Sequence, residues 1–260
     1  MLTVVRKIGW ELWLTVLVLV GWWVLSANSL NPYFPPLHLI LERAKEVFIW
    51  DGVTADVIPS IRRLALGFAS ACVVGTALGV LLGSVRWLDT ATRPYVELMR
   101  ATPGVALMPI IMLVLGLGDS FKTFTIALVC TFPILINTID GVRSVEPVLK
   151  DVARSFRLTR RDRVRFIILP NAAPQVFAGA RTSLSIGIIA MTASEMLGEP
   201  GGLGNFVLQA YRSFRFADMW AGIIALGILG YVLSKLFTLV ENRVLAWHKG
   251  FTAHTSGGKS

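Results

Sequence analysis

Cysteine, histidine and charge are all scarce in this chain of 260 residues, and each shortage excludes something. Its two cysteines, Cys72 and Cys130, lie inside apolar runs. That placement gives neither a disulfide framework nor a metal-ligand spacing, and suits small buried packing residues. Of three histidines, His248 and His254 sit in the C-terminal tail. No cluster of His, Asp and Glu resembles a metal site or a nucleophile–base pair, which argues against an integral membrane enzyme. A phosphate-binding loop is also missing. The terminal GGKS at 257–260 mimics the end of G-x-x-x-x-G-K-[ST], but Ala253 holds the first-glycine position and no helix follows. The chain is therefore not expected to hydrolyse ATP. Charged residues make up only 16%, against about a quarter in soluble domains. No soluble domain, linker, low-complexity segment or repeat stands out.

What is abundant is apolar: 54% of residues are hydrophobic and the mean hydropathy is +0.65. A membrane-spanning helix needs about 20 mostly apolar residues. Runs of that kind occupy 8–27, 60–85, 121–139, 175–197 and 219–240, with a shorter run at 104–118 that contains Pro109 and suits a tilted, kinked or partly re-entrant segment. The chain is thus predicted to be a single all-α membrane domain of about six spans over 1–260. Trp10, Trp13, Trp22 and Trp23 flank the first run as interfacial anchors do. The segment 28–59 is a loop, and its apolar positions 37, 40, 41, 44, 47 and 48 predict an interfacial helix. Gly67, Gly75, Gly79 and Gly83 share one face of the second run and allow close helix packing, within a subunit or between subunits. Residues 86–103 have the polarity of a loop. Residues 198–218 form a Gly-rich loop and a short amphipathic stretch.

The net charge is +9, but the basic residues lie between apolar spans, which speaks for a membrane surface and not for nucleic acid. Six spans put both termini, the 86–103 loop and the 144–174 loop on one side. That side is the more basic and is expected to be cytoplasmic, leaving 28–59 and 198–218 outside.

The densest charge is in 150–174, KDVARSFRLTRRDRVRFIILPNAAP. Pro147 suits a first helical turn. Val148, Val152 and Phe156 then share a face. Thr159 and Asp162 resemble a capping box for a second helix, which Pro170 is expected to end near Leu169. Residues alone leave two readings open. One is a basic loop that fixes topology and touches anionic lipid; the other is a docking element for a soluble partner.

This block resembles the EAA loop, E-A-A-x3-G-x9-I-x-L-P, of permease subunits of bacterial ATP-binding cassette importers. Aligned on Leu169-Pro170, Asp151 takes the Glu position, Val152 and Ala153 the alanines, and Ile167 the Ile. Arg157 stands where the motif has glycine, so the turn is expected either there, at a cost of about 1 kcal/mol or more, or at Leu158-Thr159. The segments RATPGVALMPIIMLVLGLGDSFKTF, FPILINTIDGVRSV and SEMLGEPGGLGNFV resemble the branch of that family serving nitrate, sulfonate, taurine and bicarbonate.

The resemblance implies the type I importer permease fold and a place in the bacterial inner membrane. It implies a homodimer, since one chain carries one such loop. Two cytoplasmic ATPase subunits would bind ATP and Mg²⁺, and a periplasmic or lipid-anchored binding protein would deliver a small anion. Asp151, Val152, Ala153, Arg154, Phe156, Arg157 and Leu158 become the candidate ATPase contacts, with Phe156 and Val152 as the apolar plug. Gly201, Gly202, Arg212 and Arg215 become candidates for receiving the binding protein. Met108, Arg181, Met191 and Glu195 are candidates for the substrate pathway. Arg181 and Lys235 are also placed to snorkel, and Glu195 to hydrogen-bond the following loop or a second subunit. The competing class is a self-sufficient channel or secondary transporter. It would show paired intramembrane charges and broken helices in repeated halves.

Overall fold

The computed structural model describes residues 2–27, 29–48 and 52–247, with the side chains of 2–12, 15 and 150 set aside. The GGKS tail, Ala253, His248 and His254 fall outside the described residues, as does the Trp10 side chain. The described residues are helical, with no strand among them. The backbone gathers into two compact units. One is Met1–Pro59 with Gly201–Gly227, and the other is Ser60–Pro200 with Ile228–Ser260.

The first unit contains α1 (Leu2–Ser26), α2 (Leu37–Phe48) and later segments of the chain. Leu37 and Ile40 of α2 are buried with Ala221, and Trp22, Phe48 and Trp220 pack around them. The apolar face expected to lie on lipid is thus covered by protein. Trp22, expected as an interfacial anchor, stacks on Phe34 and meets Trp220 edge-on. Arg43 Nε donates to Asp218 Oδ1 at 2.7 Å, and this bond holds the guanidinium pKa above its usual range.

The second unit is built on α3 (Ile58–Ser84), α4 (Arg86–Ala101), α5 (Met108–Leu115), α6 (Asp119–Arg143), α7 (Pro147–Ser155), α8 (Arg160–Arg163) and α9 (Leu169–Leu197). The glycine face of α3 is filled from within the chain. A Cβ on Gly67 would fall 2.8 Å from Ile126, one on Gly75 3.0 Å from Ile134, and one on Gly83 2.8 Å from Val142. Without side chains there, the helix backbones approach closely. The face is therefore occupied and unavailable to a second subunit.

These contacts climb both helices in the same order, so α3 and α6 are parallel. The chain between them must return along the unit. It does so through α4 and Gly104–Leu115, which meet at 93°. Parallel packing favours a broken span over a re-entrant loop for the 104–118 run. Residues 86–101, expected as a loop, form a helix because Leu88 and Val96 lie on one face and cover Leu82, Leu135 and Ile139.

α9 runs antiparallel to α6. Gly179 abuts Asn137 and Pro133, and Gly187 abuts Cys130. Ser183 Oγ donates to the Cys130 carbonyl at 2.7 Å, and Cys130 Sγ donates back to the Ser183 carbonyl at 3.2 Å. Cys130 is thus a buried packing residue. In total, four described helices are long and apolar enough to cross a membrane: Val53–Ser84, Asp119–Arg143, Arg160–Leu197 and Phe216–Val244, with the bent pair a fifth candidate. Phe216–Val244 contains α11, and α10 (Leu203–Arg212) precedes it.

Candidate functional site

The arginine-rich block is ordered by local chemistry. Pro147 opens α7 at its first turn, where its missing N–H costs nothing. The helix closes on Phe156. The Leu158 N–H then bonds the Ala153 carbonyl at 3.0 Å, and the Arg157 N–H bonds the Arg154 carbonyl at 2.9 Å. That pair of bonds is a Schellman motif, which requires a left-handed residue. Arg157 supplies it, with φ +51°. The turn thus stays at the position the motif assigns to glycine and does not move to Leu158-Thr159.

Thr159 caps the next helix. Its Oγ1 accepts from the Asp162 N–H at 3.2 Å, the cap half of the expected box, and donates to Asp162 Oδ2 at 2.6 Å, so the carboxylate meets the hydroxyl and not the Thr159 N–H. Pro170 then fails to end the helix. The turn Val164–Ile168 is π-helical, and the Leu169 N–H reaches back to the Val164 carbonyl. The wider turn fits Pro170 at the second position of α9, avoiding the ring clash that breaks an ordinary helix. Val53–Val57 precedes Pro59 in the same way. As a result, Arg160–Leu197 is one helix of 38 residues, and the block is continuous with a span.

Val148, Val152 and Phe156 form an exposed apolar stripe on α7, and Phe156 is 76% exposed. Asp151 and Arg154 flank it as an exposed pair at 3.2 Å. Leu158 is half-buried. Ala153 is fully buried and anchors the helix, so it presents nothing to a partner. At the same end of the unit, Arg143 pairs with Asp89.

The opposite end of this unit holds a charge cluster. Glu195 is fully buried, and its Oε1 accepts from Ser60 Oγ at 2.7 Å and from Arg63 Nη1 at 3.0 Å. Arg63 also meets Asp119 at 2.7 Å, and Arg62 pairs with Asp119. Lys122 Nζ donates to the Glu199 carbonyl at 2.6 Å. It is Lys122, then, that holds the loop after α9, while Glu195 turns to α3. Sequence reasoning missed Ser60, Arg63 and Lys122 as its neighbours. The available signal was paired arginines heading an apolar run, since a buried charge needs a partner.

Of the pathway candidates, Met108 packs with Ile111 and Phe121, and Met191 is fully buried. Neither shows a surface to a passing solute. Arg181 is ion-paired with Glu241, and Lys235 lies 5.4 Å from the centre of the Tyr231 ring. A recess lies elsewhere in the unit. It holds about 500 Å³ and is lined by Arg100, Thr102, Pro103, Gly104, Phe132 and Asn137, among others.

In the first unit, Gly201 and Gly202 adopt φ +114° and +101°, which glycine tolerates freely. Gly202 is buried. Arg212 is exposed, and Arg215 pairs with Asp218 at 3.0 Å. α10 ends in a second Schellman motif whose left-handed residue is Phe214, at φ +56° and 75% exposed. Phe214, Tyr33 and Phe216 form an aromatic cluster beside a recess of about 440 Å³.

The chain is similar to known proteins. The chain is 31% identical over 194 residues to the nitrate import permease protein NrtB of Synechocystis sp., covering 75% of this chain and 70% of that one. It is 28% identical to the taurine transport system permease protein TauC of Escherichia coli, covering 90% and 88%. The fold superposes on inward-facing MetNI methionine ABC transporter with a TM-score of 0.63 at 22% identity, covering 76% of this chain and 96% of that one. Residues 75–246 match the family described as binding-protein-dependent transport system inner membrane component. With most of its length in that match, the chain is a member of this family of inner-membrane transport components.

Proposed function

We propose that the chain is the translocating subunit of an ATP-driven importer for a small anion, working as a homodimer with two separate ATPase subunits. The observation that carries this is the α7 stripe. Val148, Val152 and Phe156 stand exposed on a short helix, tied by the Arg157 turn to a helix that continues into a span. An apolar stripe with a charged rim suits docking into a cleft, and binding energy concentrates in central aromatic anchors. Movement of α7 by a closing ATPase pair would pass directly to Arg160–Leu197. ATP and Mg²⁺ belong to those partners.

The chain offers one such stripe, and a symmetric ATPase pair needs two, so a second copy is the simplest supplier. On this reading α1 completes six spans, and both termini and α7 face the cytoplasm. The aromatic cluster of Phe214 and Tyr33, with Arg212, then receives a binding protein on the other side. The recess at Arg100, Thr102 and Asn137 offers polar and cationic groups to an anion such as a sulfonate, taurine or nitrate. Relatives named for nitrate and taurine support that class.

Phe156→Ala tests the proposal. Membrane insertion should persist, while ATPase co-purification and uptake fall at least tenfold, the loss of a hot-spot side chain worth about 2 kcal/mol. Full recovery of the ATPase with this variant would reject the docking role.

A further inference from the structure

α8 and the π-helical turn after it enclose a cavity of about 750 Å³ with the end of α3 and the start of α4. Its rim is cationic: Arg86, Arg154, Arg160 and Arg163 line it, and no acidic residue does. Its wall is apolar, supplied by Val164 and Ile167 among others. Arg154 has Asp151 as partner. Among the described residues, no carboxylate pairs with Arg86, Arg160 or Arg163. The Nε of Arg163 is enclosed and has no hydrogen-bond acceptor. Three guanidinium groups without a carboxylate, in a cavity that no acidic residue lines, leave a surplus of positive charge that suits an anionic ligand.

Depth narrows the ligand. Gly83 and Ser84 end α3, Val142 is one residue from the end of α6, and Val164 starts the turn into α9. The cavity therefore lies where apolar helices reach the surface. Trp87 lines it too and is 70% exposed, as aromatic residues are at headgroup depth. Phe166 and Leu169 are exposed on the adjoining helix.

We infer that this cavity binds the headgroup of an anionic phospholipid, with the phosphate on Arg160 and Arg163 and an acyl chain along Val164 and Ile167. Guanidinium groups pair with phosphate through two parallel hydrogen bonds. Free phosphate would satisfy the arginines and leave the apolar wall uncovered. The block thus divides its work: α7 presents the apolar stripe, and the α8 side holds lipid. Occupancy pins the start of the helix that continues to Leu197.

The test is native mass spectrometry of the full chain, titrated in detergent with phosphatidylglycerol, phosphatidylcholine or inorganic phosphate. Phosphatidylglycerol should be retained over phosphatidylcholine. Arg160→Gln/Arg163→Gln should cut that preference about tenfold or more. Arg160→Lys/Arg163→Lys should keep most of it, which separates charge from folding. Arg161→Gln/Arg165→Gln removes the same charge from outside the cavity and should leave the preference intact. Equal loss in both Gln pairs would mean general surface attraction and overturn the site. No preference in the parent chain, or displacement of phosphatidylglycerol by equimolar inorganic phosphate, would overturn it as well.

Discussion

Arg63 Nη1 lies 3.0 Å from Glu195 Oε1, and both side chains are buried. The pair joins the first turns of α3 to the last turn of α9, and Asp119 extends it to α6. These three helices are thereby fastened at one end of the unit. Glu195→Leu should destabilise the chain by about 1–3 kcal/mol, because it strips a buried guanidinium of one carboxylate while Asp119 remains. Arg63→Met/Glu195→Leu should lose clearly less than the sum of its single changes. Thermal unfolding of the purified variants measures this, and additive losses would show that the two residues act independently.

The α3–α6 seam has no room for a β-branched side chain at Gly75. Gly75→Val should cost about 1–3 kcal/mol through overpacking against Ile134. Adding Ile134→Ala should restore part of the loss. The same thermal assay decides, and a neutral Gly75→Val would contradict the close approach.

Arg157 carries a left-handed backbone that glycine adopts without penalty. Arg157→Gly should stabilise the turn by about 0.5–1 kcal/mol, and Arg157→Val should weaken it by more. Protease cleavage rates at the α7–α8 turn give the readout: slower for Gly, faster for Val. The reverse order would remove the strain argument.

Ser155 ends α7 and is exposed. If α7 is cytoplasmic, Ser155→Cys should resist an impermeant thiol reagent in intact cells and react after lysis. The native Cys72 and Cys130 are first changed to Ala to give a clean background. Labelling of intact cells would invert the topology.

Much of this was legible in the residues. Long apolar runs gave the spanning helices, and Thr159-x-x-Asp162 gave the cap. The shared face of Val148, Val152 and Phe156 was read from their spacing and is exposed on α7. Other features were misread for identifiable reasons. Residues 86–101 look like a loop because their apolar positions are few, yet Leu88 and Val96 are enough to hold a helix onto Leu82 and Leu135. Pro170 signals a helix end only when the preceding turn is α-helical, and here that turn is π-helical.

Sequence by itself determined the membrane class, the basic block at 150–174 and a turn within 157–159. Each of these depends on local composition or spacing, which a single segment carries. Tertiary structure alone decided that the glycine face of α3 belongs to α6, that Glu195 answers Arg63, and that four arginines line one cavity. Those facts depend on which distant segments meet. In a chain this apolar, nearly any helix face can pack against another, so the meeting is selected by the few places where a missing side chain or a buried charge permits only one partner.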